Sequence, residues 1–335
     1  MSNRNKLLLL FLLLCHFSTL AYAAENLVIY SGRSDKFVKP AVNAFSESTG
    51  IKVIVHNAKS TSLLNKLRLE GDRTDADLFL SNDAGNLQKG SELGLFSPLP
   101  ENITENIPAN YRASDNTWVG LSARARVLVV NTQSKIAQSV QSVFDIAQPQ
   151  YKDHIGITNS ANESFIAGVT VYMLAGGHDT TESWLTGIKE NAGRNIFNKH
   201  SKIVSAVASG RINIGLVNHY YIYRHLKKHP NAPIRMLVPD QTDAGMGIAW
   251  NVAGAALSKH SKKTQSALKL LAFFVSAEGQ KIFAEVNQEY PTRPGIATAP
   301  EIPALTSISV ANVPMYELGK QRDKTIQLLD KVGMP

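Results

Sequence analysis

Short β-rich runs alternate with longer stretches of helical periodicity along almost the whole chain, and few folds accept that alternation. Leu27-Val28-Ile29-Tyr30 is the first such run and ends at Ser31-Gly32. Behind it Phe37, Val38, Ala41, Val42 and Phe45 fall on one face of a helix that Gly50 stops. A strand over 51–55, a helix over 61–69 stopped near Gly71, a strand over 76–81 and a helix opening at Asp83 follow. The pattern then returns, with strands over 127–131 and 212–217, helices over 165–174, 202–208 and 219–228, an extended stretch over 247–255 and one long helix over 264–286. Strands separated by helices of this length build βαβ units and a parallel sheet. The expected class is therefore α/β, with two lobes joined by strands that pass between them. The lobes are placed at 24–123 with about 251–300, and 124–250 with about 301–335. Ligands of such sheets sit beyond the carboxyl ends of the strands. Two lobes turn that edge into a cleft, and closure about a hinge is the expected motion.

The first 23 residues stand apart. Arg4 and Lys6 precede an unbroken apolar run over 7–15, and Ala21-Tyr22-Ala23 is a small-x-small cleavage site, so a secretory signal cut after Ala23 is expected. The apolar run is far shorter than the roughly 20 residues that cross a bilayer. Cys15 follows three leucines in a loose likeness of a lipobox, but Leu14 stands where a small residue belongs, so lipidation is not expected. Cys15 is the only cysteine, so the mature chain has no disulfide, thiol nucleophile or thiolate metal site. Arg4 and Lys6 leave with the signal, which takes the formal charge from +8 to +6. A modest, scattered positive excess suits an anionic ligand and offers no basic block for nucleic acid. The sequence contains no Gly-x-Ser-x-Gly elbow, His-Glu-x-x-His helix or P-loop, and an enzyme is not expected. The Ala-x-Ala site points to a free protein in a Gram-negative periplasm.

The sharpest local feature is Asn218-His219-Tyr220-Tyr221-Ile222-Tyr223-Arg224. It follows a strand, which puts Tyr220 and Tyr221 on the first turn of a helix at the ligand-binding edge, with Asn218 in the position of an N-cap. A phenolate is a hard anionic donor, suited to ferric ion. A free tyrosine ionises near about 10, but a bound cation displaces the proton. The plainer reading, two tyrosines packing at a helix start, is the more ordinary one for the dipeptide alone. His225 and His229 share a helix face but lie beside Lys227, Lys228 and Pro230, a solvated helix end.

The surroundings decide between these readings. The stretches Val28-Ile29-Tyr30-Ser31-Gly32-Arg33-Ser34, 44–53, Ala76-Asp77-Leu78-Phe79, Asp83-Ala84-Gly85-Asn86-Leu87, Leu121 through Val127, Val207-Ala208-Ser209-Gly210, 215–224 and Glu289 through Gly295 occur in order. Together they resemble the bacterial periplasmic ferric-ion-binding proteins, the transferrin-like binding subunits of iron importers. The resemblance covers nearly the whole mature chain. It implies a two-lobed periplasmic binding protein of the class II type, with Tyr220 and Tyr221 as the core iron ligands. It also implies an exogenous carbonate, phosphate or citrate beside the metal. Arg124, in the family's Ser-x-Arg-x-Arg motif, is an anion-holding fork by this reading, or else half of a structural ion pair. Ser160, Asn162 and Ser164 precede a helix and, with Asn218, are candidate anion contacts; plain N-capping is the alternative. The implied partners are an inner-membrane ABC permease and its cytoplasmic ATPase, with the protein itself a monomer.

The chain departs from the family at three places. Ser34-Asp35 stands where many members have a histidine or a His-Tyr pair, Val130 where several have a tyrosine, and Asn82 where one branch has a glutamate. An octahedral ion held by two phenolates needs about four more donors. Asp35 is a candidate for one; Asp83 is read as a helix cap. His200 lies near an anion-contacting family segment without being taken as a ligand. The alternatives are a ferric chelate such as ferric citrate, or a non-iron solute such as thiamine, a phosphonate or another anion in the same cleft.

Overall fold

The computed structural model describes residues 26–335; the signal segment, its cleavage site and Cys15 lie outside them. In the first half β1 (Asn26–Ser31) pairs in parallel with β2 (Lys52–Asn57) and with β3 (Leu78–Ser81). The connections are α1 (Asp35–Thr49) and α2 (Ser60–Glu70), and α3 (Ala84–Glu92) follows β3. The apolar stripe of α1 is buried at Val38, Ala41, Val42 and Phe45, and Gly50 ends the helix in the left-handed region at φ 73°. Phe37, expected on the same stripe, is only partly buried and lines the cleft described below. The short strand β4 (Phe96–Ser97) and the single turn α4 (Glu101–Thr104) lead to β5 (Trp118–Asn131).

All fourteen residues of β5 are buried, and this strand belongs to both halves. Up to Ala125 it pairs antiparallel with β10 (Trp250–Ser258), which in turn pairs with β3. From Arg126 on it pairs with β8 (Ile214–Asn218), and from Leu128 also with β9 (Ile234–Leu237). Parallel to β8 lies β6 (Ile155–Thr158), and parallel to β6 lies β7 (Ile196–Phe197). The path β2-β1-β3-β10-β5-β8-β6-β7 is therefore continuous, with β11 (Tyr290–Pro291) added along β5. The helices of the second half are α5 (Glu163–Gly176), α6 (His178–Ala192), α7 (His200–Ala208) and α8 (Tyr220–Lys228).

Two expectations need correction. The long helix over 264–286 is two helices, α9 (Thr264–Val275) and α10 (Ala277–Asn287). Ser276 between them is extended, at φ −66° and ψ 165°, and its hydroxyl accepts the Gly279 N–H at 3.2 Å, so it caps the second helix. The stretch after about 301, assigned to the second lobe, divides. The Met315 N–H donates to the Asn110 carbonyl, and α11 (Glu317–Lys320) packs on α3, where a Cβ at Gly319 would meet Gln88 Cβ at 2.5 Å. α12 (Arg322–Val332) lies against α5 and α6, and α11 also touches α5.

His219 sits fully buried at the junction of the two halves. Its Nδ1 accepts the Ala125 N–H at 3.2 Å and its Nε2 donates to the Gln288 carbonyl at 2.8 Å. Only the neutral ring makes both bonds. Burial, chiefly, pushes its pKa down to about 4. This group stabilises the fold fully above the ordinary histidine value of about 6.5, and the contribution is lost as pH falls through the folded value. The ligand-free protein should therefore lose several degrees of melting temperature between pH 7 and pH 4.5. His219→Gln should start lower and show a shallower slope, and equal slopes would remove His219 as the cause. A second test concerns packing. The β5–β10 register shifts between Ala253 and Gly254, and a Cβ at Gly254 would lie 2.4 Å from the Val119 carbonyl oxygen. Gly254→Ala is expected to cost about 1–3 kcal/mol in denaturant unfolding; an unchanged midpoint would mean the strands part freely there.

Candidate functional site

The carboxyl ends of the strands from both halves meet at one cleft of about 560 Å³. The turn after β1 brings Gly32, Arg33, Ser34 and Phe37, that after β2 brings Asn57 through Ser60, and that after β3 brings Asn82. From the other side come Ala161 through Ser164 after β6, His200 after β7, and Tyr220 and Tyr221 after β8, with Arg124 of β5 between the halves. The lining follows from topology: apart from Arg124 within β5, the residues sit where a strand hands over to a helix, the edge on which free N–H groups and side chains converge.

Tyr220 and Tyr221 stack as tilted rings with centroids 4.5 Å apart. Tyr220 is buried, and Tyr221 is partly so. The Tyr221 phenol is pushed well above its ordinary range, first by the neighbouring charge of Tyr220 and then by burial. Both phenols cannot ionise side by side unless a cation joins them. Asn218 does not cap α8: His219 occupies that position with helical angles, and no side chain caps the helix. The Asn218 amide instead donates to the Tyr220 hydroxyl at 3.3 Å and the Ser164 hydroxyl at 3.2 Å, and its carbonyl accepts from Arg126 at 3.2 Å. It fixes the direction of the first phenol and ties the 162–164 turn to it.

Besides Arg224 at the Tyr220 ring, three arginines stand around these groups. Arg33 forms a buried pair with Glu289 at 2.6 Å, and Ser122 bonds to both. Burial acts to raise the Glu289 carboxyl, but Arg33 and Arg124 outweigh it and hold the group below its ordinary range. Arg126 is buried and bonded to Asn218. Arg124 is 4% exposed, makes no ion pair in the described structure, and leaves its Nε buried without a hydrogen bond. Of the two readings of Arg124, the structural ion pair is therefore not what is found. A guanidinium left without an anion at the floor of a cleft suits an incoming one.

The remaining candidates divide. Asn162 caps α5, its side chain accepting the Ser164 and Phe165 N–H groups, and it also lines the cleft. Ser160 is not in the lining; its N–H donates to the Pro335 carbonyl at 2.7 Å. Asp35 is not in the lining either, and its carboxylate pairs with Lys39 one turn along α1. Asp83 caps α3 by accepting the Asn86 N–H at 3.2 Å. Asn82 lines the cleft and donates to the Gly32 carbonyl. Val130 is buried on β5 and is not in the lining of the cleft. His225 and His229 pair at the end of α8, with centroids 4.8 Å apart.

Two cleft residues went unused in the sequence reading. Glu163 lies in the first turn of α5; burial, then the nearby Asp83, push its carboxyl up, while Arg322 and Arg124 oppose. His200 lies 5.1 Å, centroid to centroid, from Tyr221. Burial, then Arg126 and Arg124, hold its pKa well below the ordinary value, so the ring is neutral. Both open a helix that follows a strand, and that position was the available signal. Among the described residues no three His, Cys, Asp or Glu side chains gather as a conventional metal site, so a metal held here would depend on the phenols.

Residues 40–308 match the family described as bacterial extracellular solute-binding protein. The chain is 29% identical over 320 residues to the major ferric iron-binding protein of Neisseria meningitidis serogroup A, covering 93% of this chain and 94% of that one. Among solved structures, Trichodesmium IdiA (FutA) in complex with iron and citrate ligands is similar at TM-score 0.84 and 30% identity, over 92% of this chain and 100% of that one. Iron-bound HitA from Pseudomonas aeruginosa is similar at TM-score 0.84 and 26% identity, again over 92% and 100%. These are two-lobed α/β binding proteins, as is the fold above. With a cleft at the joined strand ends and a family match across most of its length, the chain belongs to the bacterial extracellular solute-binding proteins.

Proposed function

We infer that the protein captures ferric iron together with a small anion in the cleft and delivers the ion to an ATP-driven importer of the inner membrane. The observation that carries this reading is the tyrosine pair: two phenols on one helical turn, with Tyr220 opposing the ionisation of Tyr221, form a site that a hard cation completes. Binding displaces their protons, so iron affinity should weaken with acid. The unpaired Arg124 Nε supports an anion beside the metal, with carbonate, phosphate or citrate as the candidates. Ser164, Asn162 and Asn218 border the same space, and the cleft has room for ion and anion together.

The carrier works in the periplasm after its signal is cut, as a monomer. It makes and breaks no bond of its cargo and works by closing its lobes. The permease and the ATPase behind it reopen the closed form and take the ion. Nucleic acid has no part in this cycle.

Visible absorption tests the site. Metal-stripped mature protein titrated with ferric citrate should develop a saturable phenolate-to-iron band, which the double variant Tyr220→Phe/Tyr221→Phe should lack. No band in either would overturn direct iron binding and return the cleft to an organic solute. Arg124→Gln should keep the band, while the iron dissociation constant measured with citrate present rises about 10- to 100-fold, as expected for losing a hydrogen bond to a charged group. An unchanged constant would take the anion off Arg124.

A further inference from the structure

We propose that the imidazole of His200 is a third protein ligand of the ion held by Tyr220 and Tyr221. The proposal rests on the iron-binding reading above. His200 opens α7 behind β7, as Tyr220 opens α8 behind β8, and the two sites face the same cleft.

The contrast with His219 carries the argument. Both rings are buried, at 4% and 0% exposure. His219 has a partner on each nitrogen, whereas neither nitrogen of His200 makes a hydrogen bond of ordinary geometry. The Leu216 carbonyl lies near enough to act on the His200 ring without completing a bond. Buried polar groups are satisfied in folded proteins, and one that is not calls for a partner from outside the chain. The charged neighbours of His200 are Arg126 and Arg124, which carry donors only and cannot accept its N–H. The cleft carboxylate of Glu163 belongs with Thr61, Asp83, Arg322 and Arg124 instead.

The geometry suits a metal. Donors at adjacent corners of an octahedron with bonds of about 2 Å stand about 3 Å apart. The His200 and Tyr221 rings, 5.1 Å between centroids and inclined at 37°, can present a nitrogen and an oxygen at that spacing. A metal-bound imidazole commonly donates its other N–H to a backbone carbonyl, and Leu216 supplies one beside it. His200 would thus fill one of the positions that Asp35 and Val130 do not reach. The resulting set is two phenolates, one imidazole and the anion.

Pulsed electron paramagnetic resonance on the full, iron-loaded protein tests this, with citrate as the only added anion and a nitrogen-free buffer. The expected result is a tyrosinate band with a ¹⁴N modulation from a bound imidazole. That modulation should change to the ¹⁵N pattern in ¹⁵N-histidine protein and vanish in His200→Gln, while the band persists. Iron should bind at least about tenfold more weakly to the variant. The labelled wild type answers the question even if the variant folds poorly. A band without histidine nitrogen coupling would overturn the proposal and leave the tyrosine site standing, including the case in which His200 merely contacts the anion. Coupling that survives in a folded His200→Gln would also overturn it. Absence of the band in wild type would remove the iron reading, and this proposal with it.

Discussion

The cleft depends on one strand that cannot be cut in two. β5 gives Trp118 through Ala125 to one set of pairings and Arg126 through Asn131 to the other. The carboxyl ends of β1 and β3 on one side, and of β6 and β8 on the other, are thereby turned toward a common space. At the crossing, Arg33, Ser122 and Glu289 form a buried network. Removing one partner of a buried pair commonly costs several kcal/mol, because the other charge is left stranded. His219 adds its two bonds at the same point. The joint is thus polar and cross-linked by side-chain hydrogen bonds, which helps hold the register of both halves.

The polarity has an electrostatic consequence. Arg124 brings a buried positive charge to the cleft, and Glu289 is already engaged by Arg33. A bare trivalent cation would be repelled from such a site. On the proposed reading, two phenolates and a neutral imidazole still leave the ion with one net positive charge, and Arg124 adds another. An anion of two or more negative charges balances both. The anion is then a structural requirement of a cleft floored by arginine, and the neutral state of His200 avoids adding a further cation.

Much of this was legible in the sequence, and the losses have physical causes. The alternation of strands and helices gave the two α/β series, and the strand before Asn218 put Tyr220 and Tyr221 at the correct edge. Asp83 and Asn162 were readable as caps because capping is local. The first half of β5 was missed because Ser122, Arg124 and Arg126 interrupt an apolar pattern; they are buried in a polar network that only the fold assembles. Ser276 was missed because a single extended residue does not disturb helical periodicity on either side of it. Arg33 and Glu289 lie 256 residues apart, and no local signal joins them. Asn218 looked like a cap and is a clamp, because tertiary partners outbid its local option.

The tyrosine turn is also linked to the opposite lobe. Arg224 lies one turn along α8, with its guanidinium 4.6 Å from the Tyr220 ring centroid and 4.4 Å from that of Phe37 on α1. It also donates to the Asn287 carbonyl at the end of α10, at 2.8 Å. An aromatic face attracts a cation through its negative charge density, and a phenolate carries more of it than a phenol. Ionising Tyr220 on a metal therefore tightens its hold on Arg224, the group already bonded to two elements of the first half. On the proposed reading, metal capture and lobe closure would share that guanidinium, and the proton loss that makes the ligand would favour the closed form. On the same reading, parting the lobes would separate Phe37 and Asn287 from Arg224 and weaken the support for the phenolate, which would favour release.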